Sequence, residues 1–226
     1  RMRSDVPIAF CLSGGIDSSF LVSLAKKELN KNVSTYSIID SDKRYNELEN
    51  IKSIVNDVKC KNSCINLDVK FDIFFNHLKK LTNYHDGPIA TLSYYIHSFL
   101  SRKISDDGFK VSISGTGADE IFTGYYDHFL SHLSTVYNHK SFNKNLDNWE
   151  KNILPFIRNP NLRDPYVYIN NNNNRENIYE NNFNLPKFSK LKNKIKFTEI
   201  KYSREILRNR MLNELFHETV PVMLKH

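Results

Sequence analysis

Two kinds of apolar pattern alternate along the first half of the chain. Short unbroken runs are followed by stretches in which apolar residues recur every three or four positions. Val6 to Leu12 is an unbroken run ending at a glycine pair, and it predicts a buried strand. Ser18 to Leu29 then carries Phe20, Leu21, Leu24, Ala25 and Leu29 at helical spacing. Val33 to Ile39, rich in β-branched residues and tyrosine, predicts a second strand. Tyr45 to Val58 predicts a helix with Leu48, Ile51, Ile54, Val55 and Val58 on one face, and Ser63 to Leu67 a third strand. Phe71 to Leu81 and Leu92 to Ile104 read as helices, separated by the loop Asn83 to Pro88. Asp106-Asp107-Gly108 stops the second of them, and Phe109 to Ile113 is a fourth strand. Strands alternating with helices predict an α/β fold: a parallel sheet of about five strands with helices on both faces.

Beyond about Tyr125 the strand pattern ends. Phe129 to Val136, Trp149 to Phe156 and Tyr202 to Phe216 read as helices, and the asparagine run Asn170 to Asn174 as an exposed loop. The expected organisation is an α/β core over residues 1–135 with a helical C-terminal part over 136–226.

Composition narrows the picture modestly. The chain has 226 residues, 40% of them hydrophobic and 25% charged, which suits one globular domain with a substantial core. No apolar run is long enough to span a bilayer. Cys11, Cys60 and Cys64 are an odd set without a disulfide pattern, which suits a reducing cytoplasm. The net charge is +7. It suits nucleic acid or an anionic small substrate. The lysines and arginines are scattered, with no basic stripe interleaved with aromatics, so nucleic acid is not the expected partner.

Candidate chemistry sits where the first strand ends. Ser13-Gly14-Gly15-Ile16-Asp17-Ser18-Ser19 lies between a strand and a helix, where α/β units bind their ligands. Two glycines allow the backbone to approach a phosphate closely. The N–H groups opening the next helix favour an anion. Ser13, Ser18 and Ser19 carry hydroxyls for phosphate oxygens. A carboxylate among phosphates, Asp17, makes sense as a magnesium ligand. The Gly-Lys-Ser/Thr ending of a Walker A loop is missing. The bland alternative is a Gly-Gly turn with a helix cap. The loop resembles that of the N-type ATP pyrophosphatases, which release pyrophosphate and leave AMP on the substrate.

The run Val111 to Tyr126 repeats this design with an apolar strand, the turn Ser114-Gly115-Thr116-Gly117 and the acidic pair Asp119-Glu120 at a helix start. Two strand ends would then each bring a glycine turn and a carboxylate to one crevice, so that Asp17 and Asp119 share magnesium. Helix-dipole stabilisation is the plain alternative for the acidic pair.

Together the two motifs resemble the synthetase domain of glutamine-dependent asparagine synthetases, whose pattern is Ser-Gly-Gly-x-Asp-Ser followed by Ser-Gly-Glu-Gly-x-Asp-Glu-x-Phe-Gly-Gly-Tyr. Asp86 to Ala90 and Ser101-Arg102-Lys103 resemble the segment before the second motif. The likeness runs from Val6 to about Leu130 and is weaker beyond, where Arg208 to His226 resembles a family helix. It implies an adenine nucleotide alpha hydrolase-like fold and a ligase that adenylates the side-chain carboxylate of aspartate. Ammonia then gives asparagine, AMP and pyrophosphate. By the same resemblance Leu12, Ser13, Ile38, Ser114 and Gly115 contact ATP, and Gly14, Gly15, Asp17 and Ser18 hold pyrophosphate and Mg2+. Asp119 holds metal and Glu120 lies near the intermediate.

Three positions depart from that pattern. Thr116 stands where the family has an acidic residue, Gly87 replaces a glutamate, and Thr123 replaces the first glycine of Gly-Gly-Tyr. The first leaves the carboxylate acceptor open. Sugar and peptide amidotransferases and tRNA-modifying enzymes share the scaffold, and a silent nucleotide-binding module is a further alternative. The resemblance also implies a fragment of a longer chain whose glutaminase domain supplies the ammonia, and a homodimer. His128 and His132, four apart, and the Cys60/Cys64 pair are read as packing or surface residues rather than metal ligands.

Overall fold

The computed structural model describes residues 2–42, 46–67, 71–89, 91–171 and 199–224. They fall into two compact units, Arg1–Thr116 and Gly117–Lys225. Among the described residues, no helix is long and apolar enough to cross a membrane.

Among the described residues the first unit is built on a parallel sheet of four strands, against the five or so expected. They are β1 (Ile8–Cys11), β2 (Ser34–Asp40), β3 (Lys61–Leu67) and β4 (Val111–Ile113), in the order β3-β2-β1-β4. Strand alternation sends successive β1 side chains to opposite faces. Phe10 and Leu12 pack with Val22, Ala25, Ile51 and Val58. Ala9 packs on the other face with Tyr36, Leu100 and Ile104. The helical partners come from α1 (Ile16–Ser23), the turn that follows it and α2 (Leu48–Val58) on one face, and from α4 (Leu92–Asp106) on the other, where Tyr36 is a neighbour from β2. The sheet is therefore covered on both faces, as the alternation predicts. α3 (Phe71–Tyr84) packs on α4, with Phe74 and His77 against Tyr95. It takes in Asn83 and Tyr84, which the sequence assigns to a loop.

The first helix differs from its sequence reading. α1 ends at Ser23 and passes into a π turn over Leu24–Glu28, with the Leu29 N–H donating to the Leu24 carbonyl at 3.1 Å. Its buried residues are Ser18 and Val22, followed by Ala25, whereas Phe20 is 62% exposed. Small residues let the helix lie close on the strand, so they take the inner face and the large apolar residues turn outward. The second helix starts at Leu48, with Glu47 at its N-cap, rather than at Tyr45, and Asn170 of the expected asparagine loop closes a helix; Tyr45 itself and Asn172 to Asn174 lie outside the described residues.

The second unit is helical, as expected: α5 (Asp119–Phe122), α6 (Tyr126–Thr135), α7 (Phe142–Asn152), α8 (Val167–Asn170), α9 (Ile206–Phe216) and α10 (Thr219–Leu224). Its core joins Leu130 and Leu133 of α6 to Phe142, Trp149, Ile157 and Tyr168. The predicted helix Trp149 to Phe156 breaks after Asn152, and Leu154–Phe156 forms a separate 3-10 turn. Pro155 has no N–H to continue the α ladder.

Candidate active site

The chain runs outward from β1 through β2 to β3, then returns to add β4 on the other side of β1. The gap between β1 and β4 is thus the switch point of the sheet, where parallel sheets place their ligands. Both serine-glycine turns leave the sheet there.

The first turn is tied by its own serines. Ser18 Oγ accepts from the Ser13 N–H at 3.1 Å and lies 3.0 Å from Ser13 Oγ. It donates to the Gly15 carbonyl at 3.2 Å, while the Gly15 N–H donates to Ser13 Oγ at 3.2 Å. Ser18 can donate only once, so its proton is committed to Gly15, and Ser13 supplies the proton between the two hydroxyls. Ser13 and Ser18, two of the three serines expected to face phosphate, therefore shape the loop. Donation to an anion falls to the backbone at the start of α1, which has no side-chain cap. Asp17 stands in that first helical turn, partly buried.

The second turn reaches the first through Gly115. A Cβ there would come within 3.1 Å of both Asp17 Cβ and Ser18 N. Gly14 faces elsewhere, with its Cα against the start of α2. A Cβ on it would meet Asn50 Cβ at 3.0 Å, and its φ is +89°.

Around these turns lies a cavity of about 510 Å³, large enough for a cofactor-sized ligand. Of the residues the sequence nominates, Leu12, Ser13, Gly15, Asp17, Ser18, Ile38, Ser114 and Gly115 line it. Gly14 is not among the lining residues. Leu12, Ile38, Ile96 and Leu100 give it an apolar wall, while Ser13, Asp17, Ser101, Ser112, Ser114 and Thr116 give it a polar one. Cys11 also lines it. Burial pushes its thiol up, and a hydrogen bond with Ser112 partly opposes the shift.

Tyr36, Glu47, Ile96, His97 and Leu100 of this wall were not singled out from the sequence. Tyr36 was within reach, because it lies two residues from Ile38 on one face of β2. The α4 residues show only i, i+4 spacing, which marks a face without saying what it faces.

The acidic pair belongs to the second unit. Glu120 is 2% exposed, and its Oε1 accepts from the Tyr125 hydroxyl at 2.7 Å. Burial and the Glu120 carboxylate push that hydroxyl well above the usual tyrosine range. Oε2 of Glu120 is buried and has no hydrogen-bond partner among the described residues. An orphaned carboxylate oxygen beside Asp119 fits a cation-binding role for this turn. The Asp119 carboxylate packs over Gly124, leaving no room for a Cβ. Thr123 between them has φ 72° and ψ 161°, a region that suits glycine. The family glycine that Thr123 replaces would sit there without strain.

Below this turn lies a charged cluster that sequence reasoning missed. Arg210 of α9 is 2.6 Å from Glu214, 3.0 Å from Asp127, 3.0 Å from Glu218 and 3.4 Å from Glu199. Burial alone would lower the guanidinium pKa. Glu214, Asp127 and Glu218 outweigh it and raise it instead. His128, one of the two histidines discounted as metal ligands, is buried and 2.7 Å from Glu214. Asp127, His128 and Glu214 converge closely enough to ligate a metal, but Arg210 already supplies their cation.

Comparison with known proteins identifies the family of the chain. The model of a family described as Asparagine synthase matches residues 1–218. Asparagine synthetase (glutamine-hydrolysing) 1 of Bacillus subtilis (strain 168) is 35% identical over 125 residues, which are 55% of this chain and 19% of that protein. A putative asparagine synthetase (glutamine-hydrolysing) 2 of Methanocaldococcus jannaschii is 35% identical over 133 residues, 57% of this chain and 24% of the relative. An asparagine synthetase (glutamine-hydrolysing) of Zea mays is 30% identical over 156 residues, 64% and 24% of the two chains. The chain spans about a fifth to a quarter of the length of these curated relatives.

Proposed function

The chain belongs to the asparagine synthase family, and from that premise we propose that it is the ATP-using part of a carbon–nitrogen ligase that turns aspartate into asparagine. The observation that carries this reading is the meeting of Gly115 with Asp17 and Ser18 at the mouth of a 510 Å³ cavity. Two glycine turns in contact form a cradle for a polyphosphate, with an apolar wall beside it for a base.

In this reading Leu12 and Ile38 flank adenine or ribose. Ser13, Ser114 and Gly115 border the nucleotide, the backbone of Gly15 and Ser18 faces pyrophosphate, and Gly14 supports that loop from its outer side against α2. Asp17 and Asp119 would be the carboxylates that hold Mg2+, and the ion would supply screening of phosphate charge. An oxygen of the aspartate side chain attacks the α-phosphorus, and the bond to pyrophosphate breaks. The nitrogen of ammonia then attacks the activated carbonyl carbon, the bond to AMP breaks, and one proton is released. The chain's own work is to hold the reacting groups in line and stabilise charge, with Glu120 close to the activated carboxylate. The relatives' names include glutamine hydrolysis. We accordingly assign the ammonia to a glutaminase domain of the same longer protein, working in the cytoplasm.

Thr116 supports a second reading. It lines the cavity at a position where the family pattern is acidic, and it suits an acceptor other than aspartate, such as a sugar or peptide carboxylate. Exchange of labelled pyrophosphate into ATP separates the two. Exchange that depends on aspartate supports the first; exchange only with another carboxylate supports the second. No exchange with any carboxylate overturns both.

A further inference from the structure

His128 uses both ring nitrogens inside the second unit. Nε2 lies 2.7 Å from Glu214 Oε2, and Nδ1 accepts from the Gly124 N–H at 3.3 Å. The other oxygen of Glu214 is 2.6 Å from the Arg210 guanidinium. An ionised carboxylate only accepts, so Nε2 carries the ring proton and Nδ1 keeps its lone pair for Gly124. Gly124 needs this anchor, because the residue before it, Thr123, holds a positive φ of 72°. Over the Gly124 Cα lies the carboxylate of Asp119.

We propose that His128 is a positioning residue for Asp119, acting through the Gly124 amide, with Arg210 and Glu214 fixing its tautomer. The line runs from Arg210 through Glu214, His128 and Gly124 to Asp119. It places a buried imidazole under the turn that carries Asp119. The inference rests on the reading of Asp119 as a Mg2+ ligand.

Two substitutions separate the nitrogens. His128→Asn puts an amide oxygen near Nδ1 and keeps an acceptor for Gly124. His128→Gln puts an amide N–H near Nε2 and keeps the donor to Glu214 only. The readout is the Mg2+ concentration needed for half-maximal ATP binding, measured beside the melting temperature. His128→Gln is expected to raise it about tenfold, the change that losing one hydrogen bond gives. His128→Asn is expected to leave it near the wild-type value. Adding Thr123→Gly to His128→Gln removes the strain and should recover most of the loss.

Equal Mg2+ dependence in the wild type and both variants overturns the proposal and leaves the functional reading standing. Wild-type protein without Mg2+-dependent ATP binding overturns both. Nitrogen-15 NMR of the wild-type ring tests the proposal even where no variant folds. Protonated Nε2 with unprotonated Nδ1 supports it, and the opposite tautomer overturns it.

Discussion

The Asp119 carboxylate fills the space beside Gly124 that any side chain would need. A Cβ built there would lie 2.7 Å from Asp119 Cγ and closer still to its oxygen. Gly124→Ala must therefore turn the carboxylate away or open the turn after α5. The expected cost is about 1–3 kcal/mol of stability, typical of overpacking, with loss of Mg2+-dependent ATP binding. Urea unfolding and a nucleotide titration check it. Unchanged binding would show that the carboxylate position is immaterial.

Thr123 makes the opposite prediction. Its φ of 72° and ψ of 161° cost a non-glycine residue about 1–3 kcal/mol. Glycine relieves that strain but gains freedom in the unfolded chain. Thr123→Gly should raise stability by about 1 kcal/mol in urea unfolding. A destabilised variant would mean that the threonine side chain contributes more than its backbone strain removes.

Gly115 tests the cradle itself. A Cβ at 3.1 Å from Asp17 Cβ and Ser18 N forces the two turns apart by a few tenths of an ångström. Gly115→Ala should weaken ATP binding about tenfold, and the stability change should stay within about 1 kcal/mol. Calorimetric titration beside thermal unfolding separates the two quantities. An unchanged affinity would remove this contact from the nucleotide site.

Tyr36 predicts an alkaline limit. Its hydroxyl donates to Asp107 Oδ2 at 2.9 Å, and Lys103 holds the other oxygen at 2.6 Å. Burial, with Asp107 adding to it, pushes the phenol from 10.0 up to about 12 in the folded protein. The unfolded chain loses this proton near 10 and the folded chain keeps it longer. The stabilisation is thus fully present below about pH 10 and is lost as pH rises toward 12. Denaturant midpoints across that range should fall in the wild type and fall less in Tyr36→Phe. Parallel slopes would exclude Tyr36 as the group responsible.

The α/β layout was legible because strand and helix periods alternate cleanly from Val6 to Ile113. The serine-glycine turns were legible because glycine has few other reasons to stand between a strand and a helix. Phe20, Leu24 and Leu29 misled, since their helical spacing marks a face but not the inner one. Ser18, Val22 and Ala25 share another face, and their small size lets the helix approach the sheet. The Arg210 cluster could not be read, because Asp127 lies 83 residues away in sequence and only tertiary folding brings the two together. Thr123 was visible as a departure from the family pattern, but its backbone strain became visible only in the dihedral angles.

The pairing of β1 with β4 has a consequence for how the chain tolerates change. β4 has three residues, and Ile113, opposite Phe10, is followed directly by Ser114 and Gly115. Each residue of a parallel strand advances the chain by about 3.3 Å, more than the 3.1 Å that a Cβ added to Gly115 would keep from Asp17. One residue inserted or deleted between Val111 and Gly115 would also exchange the faces of the side chains beyond it. The short strand is a length gauge for the cradle. Changes of length can be absorbed in the loop before Val111, and after it there is no slack.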